Sequence, residues 1–167
     1  HLVAVEDLVE DVFGTTPKNS LGEFRFARRD EEMHVRLALA ELADNRSTHG
    51  GGAGPPHFRT DREPNAPRLV KQLYVTLPFR PSDSEKGAKD HTRRLERLKT
   101  ERLQSMIEPN IAEPKSNGLG LYLANLGLAM VGWELQVEEI GQAQVTFLIR
   151  RVERVRARRR EEAERGV

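Results

Sequence analysis

The run Leu119 to Val131 is built almost wholly from apolar residues, alanine and glycine. A helix that is apolar on nearly every side has to be buried, and at this length the natural cover is a sheet, so the rest of the chain must supply one. Gly132 follows, a residue suited to ending a helix. Upstream, Glu113-Pro-Lys-Ser-Asn-Gly-Leu-Gly-Leu-Tyr-Leu-Ala124 is a loop that runs into a glycine pair and then directly into this helix. Gly118 and Gly120 remove side chains where backbone approaches something closely, and the first free N–H groups of the helix point to the same place. Lys115 adds a positive charge just ahead of them. Such a loop can cradle a phosphate, and it is also the pattern of an ordinary turn before a helix.

The sheet is legible on both sides of that helix. Leu69 to Phe79 carries Leu73, Val75, Leu77 and Phe79 in clean alternation, which predicts a strand. Trp133 to Val137 and Ala143 to Ile149 alternate around the turn signal Ile140-Gly-Gln, which predicts a β-hairpin with Trp133 in the core. Gly22 to Ala27 fits a half-buried strand. Leu2, Val5, Leu8, Val9, Val12 and Phe13 recur at helical spacing before Gly14, predicting an amphipathic helix over the first thirteen residues. Asp30 is the expected N-cap of a second helix running from Glu31 to Arg46. Gly50 to Pro67 is rich in glycine, proline and mixed polar residues and reads as an insertion without structure. Ser84 to Met106 reads as a charged helix with a narrow apolar stripe, and Arg150 to Arg165 as a basic, then acidic, terminal helix or connector.

Composition bounds the class. The 167 residues, 37% of them hydrophobic, make one domain with its own core. Lys plus Arg (27) and Asp plus Glu (26) nearly cancel, so a net charge of +1 gives no strong nucleic-acid signal, while a local patch at Arg154 to Arg160 stays open. The absence of cysteine removes disulfides and thiolate metal sites. No apolar run has the length of a membrane span, and a cytoplasmic domain is the expectation. His1 followed directly by an amphipathic stretch suggests a piece of a longer protein.

A second motif closes the second helix: Glu41-Leu-Ala-Asp-Asn45-Arg-Ser-Thr-His49. Spacing of four puts Glu41, Asn45 and His49 on one helical face, one above another. A carboxylate, an amide and an imidazole in line can activate a nucleophile and complete the oxygen shell of a magnesium ion that also binds phosphates. The bland alternative is a solvated helix end.

Together these segments resemble the GHKL superfamily of ATP-binding domains, the Bergerat fold, and sensor histidine kinases most. Glu41-x-x-x-Asn45-x-x-x-His49 is similar to its N box and Lys115-Ser-Asn-Gly118-Leu-Gly120-Leu to its second glycine box. Met106 to Lys115 is similar to the phenylalanine-box and lid segment, and Leu121 to Arg150 to the closing helix and hairpin. The resemblance covers about residues 2–50 and 68–150. It implies an α+β fold, a two-layer sandwich with a mixed sheet covered by helices on one face. Residues 1–150 would form the ATP-binding domain, with the insertion at about 50–67 and a lid helix at about 84–106, and residues 151–167 a connector. It also implies ATP and Mg²⁺ as cofactors. Asn45 would hold the metal and Glu41 would act as general base or orient the nucleophile. His49 would contact phosphate or support the helix, Lys115 would neutralise phosphate charge, and Ser116, Asn117, Gly118, Leu119 and Gly120 would line the phosphate chain.

Two departures stand out. The family's Asp-x-Gly-x-Gly after a central strand is replaced by Arg80-Pro-Ser-Asp83-Ser-Glu-Lys-Gly87, where Asp83 is the candidate for adenine recognition at a different spacing. Ser116 stands where the second glycine box usually opens with glycine. The resemblance implies phosphoryl transfer from ATP to a histidine, or contact with a partner domain, outside this sequence, with a homodimer through such outside regions left open. An ATPase switch domain of a multidomain protein and a degenerate interaction module without turnover remain the alternatives.

Overall fold

The computed structural model describes residues 1–49, 53–79, 89, 93, 119–152 and 164–166, and of residues 48, 49 and 119 the backbone only. Within them lie a six-stranded mixed sheet and three helices, arranged as an α+β two-layer sandwich. In chain order the elements are β1 (Leu2–Ala4), α1 (Val5–Phe13), β2 (Glu23–Arg25), α2 (Arg29–His49), β3 (His57–Glu63), β4 (Ala66–Pro78), α3 (Leu119–Met130), β5 (Trp133–Ile140) and β6 (Gln144–Arg151). The sheet order is β1-β2-β4-β6-β5, with β3 also paired to β4. All of the charged stretch 84–106 but residues 89 and 93, and most of the C-terminal segment 151–167, fall outside the described residues.

The thirteen-residue β4 is the centre of the sheet. It pairs antiparallel with β3 from His57↔Thr76 to Glu63↔Ala66 and antiparallel with β6 from Gln72↔Arg150 to Pro78↔Gln144, and it meets β2 in parallel at Glu23↔Leu69. Strict alternation sorts its side chains. Leu73, Val75 and Leu77 join Val145, Phe147 and Ile149 of β6 and Trp133 and Leu135 of β5 on the helix-covered face. Leu8 and Val9 of α1, Val35, Leu39 and Leu42 of α2 and Leu121 and Leu128 of α3 close the core from above. Each such fully buried side chain stabilises the fold by about 1.5–3 kcal/mol relative to exposure. The other face carries the buried Leu148 and Tyr74 among paired polar side chains. Thr76 Oγ1 lies 2.9 Å from Thr146 Oγ1, and Arg150 Nε donates to Glu134 at 2.6 Å.

Three local expectations are corrected. The chain starts as strand rather than helix: Leu2, Val3 and Ala4 pair antiparallel with Arg25, Phe24 and Glu23, and α1 begins only at Val5. A three-residue apolar start fits either period, and the partner strand decides it. The insertion reading fails for residues 57–63, which form β3. Its strand character was hidden by charge. Arg59 and Asp61 point to the polar face, where Arg59 stacks 3.8 Å over the Tyr74 ring and Asp61 accepts from Gln72 Nε2 at 2.6 Å and Tyr74 Oη at 3.0 Å. On the other side Phe58 packs edge-on against Phe13, ring centroids 5.1 Å apart. Pro64 and Asn65 make the turn into β4 without a glycine to announce it. Finally, Asp30 is not the N-cap. The helix begins at Arg29, and Glu31, in its third position, reaches back to the Arg28 N–H at 2.8 Å, half of a capping box.

Glu31 is also the one buried carboxylate on α2. Its Oε1 accepts from Trp133 Nε1 at 3.0 Å and from Arg151 Nη2 at 3.3 Å, and Arg151 in turn donates to the Arg25 carbonyl at 2.7 Å. Phe24 and Phe26 wall Trp133 at 5.2 and 5.5 Å. Burial alone would raise the carboxyl's pKa. The bonds from Trp133 and the Arg28 backbone, the Arg151 charge and a bond from the Ala27 backbone outweigh it and hold the pKa below the ordinary glutamate value. A depressed folded pKa contributes stability above the ordinary carboxylate range, and that contribution is lost as pH falls through the depressed value. Glu31→Gln is therefore expected to cost about 2 kcal/mol at pH 7, or roughly 4–8 °C in melting temperature for a domain of this size. Thermal melts across pH 7 to 3 check this. The gap between variant and wild type should close in acid, and a gap independent of pH would contradict the assignment.

Candidate functional site

Helices α2 and α3 lie side by side on the sheet, antiparallel, and touch through glycines. A methyl group placed on Gly120 would have the Glu41 carboxyl end as its three nearest atoms, and one on Gly127 would sit 2.7 Å from His34 Nδ1 and 3.1 Å from Cε1. Seven residues separate the contacts on each helix, two turns apart, so the seam is straight and close. The closeness explains why glycine is kept inside a helix, where it costs about 1 kcal/mol relative to alanine. Gly132, at φ +80°, then turns the chain out of α3 into β5.

Further contacts fix α3. Asn125, buried within an otherwise apolar helix, accepts the Leu135 N–H at 2.9 Å through Oδ1. That bond ties the helix to β5 and satisfies a backbone donor on the strand. At the C-terminal end of α2, Arg46 Nη2 donates to the Gly54 carbonyl at 3.2 Å and holds the entry to β3 against the helix.

The structure thus brings together parts of the two sequence motifs. Glu41 of α2 lies against Gly120, in the first turn of α3, and Asn45 follows Glu41 one turn later, partly buried. His49 is the last residue of α2, its side chain outside the described part, and Leu119 opens α3. Asp83, Lys115, Ser116, Asn117 and Gly118 lie outside the described residues.

The electrostatics single out Glu41. Among the described residues no group hydrogen-bonds its carboxylate, and burial, followed by the charge of Asp44, pushes its pKa above the ordinary glutamate value. A partly buried carboxylate without a partner is a poor stabilising element and a suitable proton acceptor. Among the described residues no three acidic or histidine side chains converge as a metal cluster. The side-chain oxygen of Asn45 is a hard donor of the kind magnesium takes singly, with phosphate and water supplying the remainder.

Sequence reasoning missed the Gly127–His34 contact and the role of Asn125. Both left a signal: a glycine and an amide inside a helix where propensity and burial favour neither.

A carboxylate whose folded pKa is raised destabilises the fold at neutral pH, and this penalty disappears as pH falls below the ordinary carboxylate range. Glu41→Gln is accordingly expected to raise the melting temperature at pH 7, with a gain that fades by about pH 4. A fall in melting temperature at pH 7 would show that Glu41 has a partner in the folded chain. Comparison of the sequence with protein-family models and with curated proteins returned no match.

Proposed function

We propose that this chain is a Mg-ATP-binding catalytic domain of the Bergerat type, transferring the γ-phosphoryl group of ATP to a histidine outside the present sequence. The observation that carries the reading is the meeting of Glu41 with Gly120: two motifs distant in sequence, each suited to phosphate chemistry, share one seam between helices. The two-layer fold, with an N-box-like helix and a second-glycine-box-like helix lying together on a mixed sheet, supports the same reading.

Phosphoryl transfer asks a protein mainly for positioning and charge neutralisation. Backbone N–H groups from residues 116 to 120 would hold the phosphate chain at the start of α3, and Lys115 would neutralise charge on the transferring group. The amide oxygen of Asn45 would hold magnesium, which would supply positive charge to offset that of the phosphates. Glu41, one turn before Asn45, would take up the proton released by the nucleophile as its bond to phosphorus forms and the bond to the bridging oxygen breaks. His49 would face the phosphates from the next turn, and Asp83 would accept from the adenine amino group.

Turnover of γ-labelled ATP by a longer chain that carries the acceptor histidine tests this. Magnesium-dependent loss of the label is expected, with kcat lowered by about 100-fold or more in Glu41→Gln while KM changes little. Acid-labile label on a histidine of a longer chain would support transfer, and free phosphate alone would move the reading to the ATPase alternative. No label released, or full activity in Glu41→Gln, would refute the assignment of the site.

A further inference from the structure

Gly120 is expected to touch phosphate in the reading above, yet the structure shows its Cα facing a protein side chain. A Cβ at position 120 would lie 2.9 Å from Glu41 Oε2 and would overlap Oε1 and Cδ. All three of its nearest atoms belong to the end of one flexible side chain, and none is backbone. Adding a methyl group there would displace the carboxylate before it displaced the helix. Nothing else among the described residues fixes that carboxylate by a hydrogen bond, so its place is set by the space that Gly120 leaves.

We propose that Gly120 is a positioning residue: by carrying no side chain it lets the Glu41 carboxylate lie in the seam at the first turn of α3, beside the phosphates that turn would hold. The proposal rests on the phosphoryl-transfer reading of the site. It separates two jobs that a glycine can do there. A glycine that only admits phosphate acts on nucleotide binding, whereas one that places the proton acceptor acts on turnover.

The geometry also specifies a rescue. Aspartate at position 41 is shorter by one C–C bond, about 1.5 Å, and draws the carboxylate back from the methyl group of an alanine at position 120. Glu41→Asp should therefore make Gly120→Ala tolerable. Two substitutions that act through one contact are non-additive, and those that act separately add.

The test compares wild type, Gly120→Ala, Glu41→Asp and the double variant, each in the longer chain that carries the acceptor histidine, by turnover of Mg-ATP. The carboxyl titration of Glu41 is followed in parallel by ¹³C-detected NMR of the intact chain. Gly120→Ala is expected to keep KM within about twofold and to lower kcat by at least about tenfold, since misplacement of a proton acceptor acts on the chemical step. In the Glu41→Asp background the same substitution should cost less than about threefold. The Glu41 titration, held high by burial in the seam, should move toward the ordinary carboxylate range in Gly120→Ala. A raised KM with kcat unchanged, or an equal kcat loss in both backgrounds, would overturn the proposal. If Gly120→Ala fails to fold, folding of the double variant supports the contact and failure of both overturns it. A wild-type chain without turnover overturns the reading of the site instead. The titration then decides the contact by itself, an unchanged midpoint in Gly120→Ala refuting it.

Discussion

A single buried carboxylate organises the helix layer. Glu31 collects hydrogen bonds from the Arg28 backbone, from the indole of Trp133 at the start of β5 and from Arg151 at the end of β6. Through it the exit from β2, the first turn of α2 and both ends of the C-terminal hairpin meet at one point. The fixed start gives α2 its direction across the sheet. Ten residues later, about 15 Å along the axis, the same helix delivers Glu41 to the first turn of α3. The aromatic packing of Phe24 and Phe26 on Trp133 buries the bond from its indole to Glu31, and the low local dielectric strengthens that bond.

Glu31 and Glu41 show what environment does to one side chain. Both stand on α2 and both lose solvent. The first is hydrogen-bonded and its pKa is held down; the second has no hydrogen-bond partner among the described residues and its pKa is pushed up. Stability accounts for the first. The second runs against stability, which suits the proton-accepting role proposed for it. Its surroundings agree, since the seam is narrow because α3 presents glycine to α2 at two positions, and the start of α3 is where a helix offers free N–H groups.

Much of the fold was legible because its strongest elements carry unambiguous periods. The alternation in β4 to Phe79, the hairpin around Gly141 and the apolar α3 ending at Gly132 lie where expected, although β4 begins at Ala66, three residues ahead of Leu69, and β5 runs three residues past Val137, to Ile140. Misreadings arose where tertiary pairing outweighs local pattern. Leu2 to Ala4 follow the helical spacing of α1 yet pair with β2, and β3 hides its alternation behind Arg59 and Asp61, whose charges are neutralised across the polar face of the sheet. The N-cap at Asp30 looked right by residue type, but Glu31 one position later has the indole and guanidinium partners that make its own capping geometry the better one. For the site, spacing put Glu41 and Asn45 on one face. It gave no hint that Gly120 would meet Glu41, because a contact between two helices depends on how both are set on the sheet.

In the proposed function the α2–α3 seam binds Mg-ATP. Its most direct test is titration of ATP into the chain, with magnesium and with chelator, followed by calorimetry and melting temperature beside Asn45→Ala. The expected result is saturable, magnesium-dependent binding that raises the melting temperature by several degrees, through about 2.7 kcal/mol of stabilisation at 100 times Kd, and that Asn45→Ala weakens at least about tenfold. Absence of saturation at millimolar ATP, or equal binding by Asn45→Ala, would contradict the claim.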